Sequence, residues 1–122
     1  MTDMEFSEIT DKNKQVRGLA SEVFLWLDRA RILKIYARMA HVIIDAGLDP
    51  RDLDNASGAY LDISREVYDE FAIKHPTMVN KLGEALVGIV LRATVYSEIM
   101  DRTNEYLDVM SKYVKINEER KK

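Results

Sequence analysis

Between Val16 and Ile44 the chain places apolar residues at alternating three- and four-residue steps: Val16, Leu19, Val23, Trp26, Ala30, Leu33, Ala37, Ala40 and Ile44. A second ladder runs through Leu82, Leu86, Ile89, Ala93, Tyr96, Met100, Thr103, Leu107, Met110 and Val114, interrupted only by Thr103. A seven-residue apolar repeat keeps its seam on one face only where another helix covers it, so the pattern predicts helices packed lengthwise on helices. Two such seams in 122 residues leave no room for a separate catalytic module. The fold class expected is all-α, a single helical domain spanning 1–122.

The stops are read from capping chemistry. A first helix is predicted over 10–46, starting near Thr10 and ending at Gly47, which tolerates the left-handed cap conformation, with Leu48 as the apolar contact and Pro50 barring continuation. Asp49 is expected to cap a second helix over 50–74, with Pro50 in its first position. Its seam is Leu53, Ala56, Tyr60, Ile63, Val67 and Phe71, and it ends before Pro76. A third helix is predicted over 77–118. Residues 1–9 read as an acidic lead-in, with Thr2 and Glu5 at capping-box spacing, and 118–122 as a frayed charged tail. The short connections at 47–49 and 74–76 imply an up-down-up bundle.

At the helical rise the three helices are about 55, 36 and 60 Å long. The shorter middle helix leaves the end of the third uncovered, and that end carries Tyr106, Leu107, Val109, Met110, Tyr113, Val114 and Ile116. The first helix has a second apolar stripe, Leu25, Ile32, Tyr36, Met39 and Ile43. Helices apolar on two faces are central ones. These twelve residues therefore define an expected oligomer interface, most simply that of a two-fold dimer. The alternative is a break at Thr103 and Asn104, after which 105–118 folds back as a fourth helix and completes a monomeric bundle.

Net charge is −3, unevenly spread. Residues 11–48 carry seven basic and four acidic groups, and residues 49–75 carry three basic and seven acidic. Arg17, Arg29, Arg31, Lys34 and Arg38 form a basic ridge at helical spacing, a candidate contact for a phosphate backbone. The plainer reading pairs the ridge with the acidic second helix.

No catalytic, cofactor or metal site is expected. No cysteine is present, which excludes disulfides and thiolate chemistry. No Glu is followed three residues later by His, as carboxylate-bridged metal bundles require. The acidic group Asp62, Glu66, Asp69 and Glu70 reads as a solvated or salt-bridged face. His41, with Arg38 before it and Asp45 four residues after, lies on a helix as a phosphotransfer histidine does, but Ile44 and Asp45 stand where that family has lysine and glycine. The simpler reading is a half-buried histidine paired with Asp45. No span offers the roughly 20 apolar residues of a membrane crossing. The acidic N-terminus lacks the order of a secretion signal, so the expected location is the cytoplasm. The single glutamine, Gln15, leans towards a thermophilic source.

The function expected is a non-catalytic scaffold or adaptor acting through protein–protein contact, as a homo-oligomer or an assembly subunit. The alternative is a small helical subunit of a nucleoprotein complex, of the class of CRISPR small subunits or archaeal viral coat and inhibitor proteins, a comparison of size and class alone. A third reading is a phosphotransfer domain at His41.

Overall fold

The computed structural model describes the backbone of residues 3–121 and the side-chain surroundings of 13–121. The described residues form six helices and no strand: α1 Asp3–Trp26, α2 Arg29–Asp45, α3 Leu53–Lys74, α4 Pro76–Leu82, α5 Glu84–Asp101 and α6 Thr103–Arg120. The all-helical class stands, but both long helices are broken. The expected lead-in is helical from Asp3 and the expected frayed tail stays helical to Arg120, while the Thr2 cap lies outside the described residues.

The first break falls at Leu27 and Asp28. Asp28 takes an extended backbone conformation, and its carboxylate accepts the Arg31 amide at 2.9 Å, capping α2. The break resets the phase of burial. In an unbroken helix Val23 and Ile32 would lie about 180° apart at 100° per residue. Here both are buried, because α1 turns in Leu19 and Val23 while α2 turns in Ile32, Tyr36, Met39 and Ile43. The two apolar stripes are thus successive core faces of two helices, and Leu33, on the first ladder, is left exposed.

The stop at Gly47 is as the sequence predicts: Gly47 has φ 77°, and the Leu48 amide donates to the Ile43 carbonyl at 3.0 Å. Leu48 itself stays exposed rather than closing the cap. The start of α3 differs from expectation. Its cap is Asp52, whose carboxylate accepts the Asp54 amide, and residues 49–52 form a turn in which Asp49 accepts from the Arg51 amide and guanidinium. Pro50 is buried in that turn. The α3 seam is then buried from Ala56 to Phe71, with Leu53 left outside.

Two breaks divide the third helix. Gly83, at φ 91°, separates α4 from α5. At Arg102 the backbone leaves the helical region, and the Thr103 hydroxyl donates to the Met100 carbonyl. Beyond that break α6 packs on α2, while α1 packs on α5 and α3 contacts both α2 and α5. The expected overhang is absent. Tyr106 and Met110 are fully buried, with the Tyr106 ring edge-on to Tyr36 and its hydroxyl donating to the Pro50 carbonyl at 2.6 Å.

A candidate interaction surface on α1, α3 and α5

The refolding of the two long helices redistributes the residues expected at an oligomer interface. Tyr106, Met110, Ile32, Tyr36, Met39 and Ile43 lie in the core of a single chain. Leu107, Val109, Tyr113 and Val114 are half-buried, the first three packed against that core. Only Leu25 and Ile116 remain exposed. The correction has one physical cause: the breaks let α2 and α6 pack their second apolar faces against each other within one chain.

The basic ridge meets the acidic helix. Arg38 makes a paired contact with Glu66 at 2.7 and 3.0 Å, Lys34 reaches Glu70 at 2.7 Å, and Arg31 also bonds to Glu70. The Arg38 contact holds the Glu66 carboxyl below its ordinary range. Arg31 additionally stacks its guanidinium 4.3 Å from the Trp26 ring. Arg29 bonds to Glu105 on α6 at 2.6 Å. Arg17 is on α1, across the break from the other four. Arg29, Arg31, Lys34 and Arg38 thus each bridge α2 to a carboxylate on α3 or α6.

His41 is exposed, 6.3 Å from the Tyr113 ring, and no ion pair joins it to Asp45 among the described residues. His75 stacks on Phe71 with ring centroids 4.4 Å apart and lines an open cavity of about 570 Å³ between α1 and the α3–α4 junction, with Glu22, Lys74 and Lys81 at its rim. Among the described residues no three His, Cys, Asp or Glu side chains gather in a way that would hold a metal ion. No helix there is long and apolar enough to cross a membrane.

What remains is an apolar surface centred on α5, three of whose residues belong to the second ladder. α5 turns Val87, Leu91, Val95 and Ile99 inward. Its opposite face carries Ile89, 67% exposed, with Ala93 and Tyr96. Between this face and α3 runs a trough of about 450 Å³ lined by Leu61, Ile89, Ala93 and Tyr96. Its wall is braced by the Tyr96 hydroxyl against the Ser57 hydroxyl at 2.9 Å and by the Tyr60 hydroxyl donating to the Arg92 carbonyl at 3.3 Å. On the other side of α5 a second trough, about 480 Å³, is lined by Ala20, Ser21, Phe24, Leu25 and Thr94. Phe24 and Leu25 are 54% and 73% exposed. Large apolar side chains gathered on one face mark an interaction site more often than chance exposure does.

The signal for this surface was present in the sequence, since Ile89, Ala93 and Tyr96 are successive members of the second ladder. Periodicity shows that α5 is apolar on more than one side. It does not show which side the rest of the chain covers. No protein-family model, curated protein or solved structure matches the chain.

Proposed function

We propose that the protein is a non-catalytic helical scaffold or adaptor that acts through protein–protein contact, as a homo-oligomer or as a subunit of an assembly. The observation carrying this reading is the apolar face of α5 with its flanking troughs, where Phe24, Leu25, Leu61 and Ile89 are each more than half exposed. Burial of such side chains is worth roughly 25 cal/mol per Å² removed from water, which favours a covered state. Arg31, Lys34 and Arg38 lend no support to a nucleic-acid partner, because each already faces a carboxylate.

The test is to place a photo-crosslinking amino acid at position 89 in the living cell, with position 73 as control. Ile73 is 79% exposed but lines neither trough. A discrete protein adduct from position 89, absent from position 73, is expected. Equal labelling from the two positions would refute the reading.

A further inference from the structure

We infer that the occupant of this face is a second copy of the same chain, related by a two-fold axis passing near Ala93; the inference rests on the protein–protein reading above. Three observations point to a copy rather than to a foreign partner.

The first is charge. In a two-fold contact each patch meets itself, so a patch rich in one sign of charge repels its own image. Among the described residues Arg92 is the one charged side chain lining either trough. A face with one charge meets its own image with little repulsion once the exposed Arg92 turns its guanidinium out to the rim, and it offers little to a highly charged ligand.

The second is area. From their fractional exposures, Phe24, Leu25, Leu61, Ile89 and Tyr96 leave on the order of 500 Å² of mostly apolar surface in water. With the small residues between them, this approaches the roughly 800 Å² per partner of a standard stable interface.

The third is shape. Ala93 lines one trough and its neighbour Thr94 lines the other, so α5 stands as a ridge between two hollows. Its crest at Ala93 carries only a methyl group. A ridge with hollows on both sides fits a copy of itself, the flanking side chains of each entering the hollows of the other. Where two helices meet at small residues their backbones approach closely. A two-fold axis there sets Ala93 against Ala93 whichever way the helices cross.

The absence of cysteine makes a clean test possible, since a single introduced thiol reports on one site. Ala93→Cys is expected to oxidise almost completely to a covalent dimer, its Cα atoms lying within the roughly 4.4–6.8 Å that a disulfide spans. Ile73→Cys is expected to stay single. Light scattering of the unmodified chain is expected to give twice the chain mass. Ile89→Glu should halve that mass while leaving the helical circular dichroism intact, because Ile89 is 67% exposed and lies outside the buried core. A single-chain mass for the unmodified protein, or equal oxidation of the two thiol variants, overturns the inference. The photo-probe at position 89 separates the two levels. An adduct of two identical chains supports the copy, an adduct with a different protein overturns the copy and leaves the protein–protein reading standing, and no specific adduct removes both.

Discussion

Tyr106 is the residue whose role changes most between one dimension and three. In the sequence it is one of the apolar residues at the end of a third helix expected to project beyond its neighbours. In the folded chain it has no exposed surface, and it joins α6 to Tyr36 of α2 and to the Pro50 carbonyl. Burial pushes its phenol up to about 12, and burial does the same to Tyr60, also to about 12. The sign follows from which form is favoured. A folded-state value above the ordinary 10 means that the native protein holds its phenolic protons where the unfolded chain loses them. The stabilisation is complete below pH 10 and is lost as pH rises through 12. Unfolding by denaturant, followed by circular dichroism, is therefore expected to show stability falling from about pH 10 upward. The slope should be shallower in Tyr60→Phe and Tyr106→Phe. A profile that is flat between pH 10 and 12 in the unmodified protein would count against the burial of these phenols.

At the level of elements, what decides the fold is where helices stop. Gly47 and Pro76 were legible because each carries a specific backbone constraint, a left-handed cap in one case and a missing amide hydrogen in the other. Gly83 was equally legible in kind, and its φ of 91° shows that it serves as a stop, but nothing local distinguishes it from Gly58 or Gly88, which sit inside helices. Asp28 is a good cap, yet aspartate also occurs on solvent faces of unbroken helices. Arg102 itself is no breaker, but the break falls directly beside the Thr103–Asn104 pair expected as the alternative break. The glycines provide a test of this contrast. A methyl group at Gly58 would meet nothing within 4 Å, so Gly58→Ala is expected to stabilise the fold by about 0.5–1 kcal/mol through helix propensity. The same change at Gly83 forces a side chain into the left-handed region and is expected to destabilise by about 1 kcal/mol or more. Paired chemical denaturation curves measure both. Equal effects at the two sites would refute the assignment of Gly83 as a break.

For the whole molecule, the breaks at Asp28, Gly83 and Arg102 convert three overhanging rods into six shorter helices in which one chain covers most of its own apolar surface. That shift moves the sensitive positions. Met110 is fully buried, whereas Ile116 on the same helix is nearly half exposed. Met110→Glu places a carboxylate in the core with no partner, and the expected result is loss of the folded state, seen as loss of cooperative melting, rather than dissociation of an intact dimer. Ile116→Glu is expected to change the melting temperature little. An intact, cooperatively melting Met110→Glu chain would show that α6 does not dock on α2.

The amino-acid sequence by itself determined the helical class, the stop at Gly47, the stop before Pro76 and the pairing of a basic segment with an acidic one, because each follows from local backbone constraint or from charge that any compact arrangement must neutralise. Only the tertiary structure decided which apolar stripe faces inward. Periodicity specifies that a helix has greasy faces, but the choice among them depends on where distant segments come to lie, and that is settled by turns such as those at Asp28 and Arg102 that local sequence barely marks. The result is that Ile89, Ala93 and Tyr96 face water, while Tyr106 and Met110 do not.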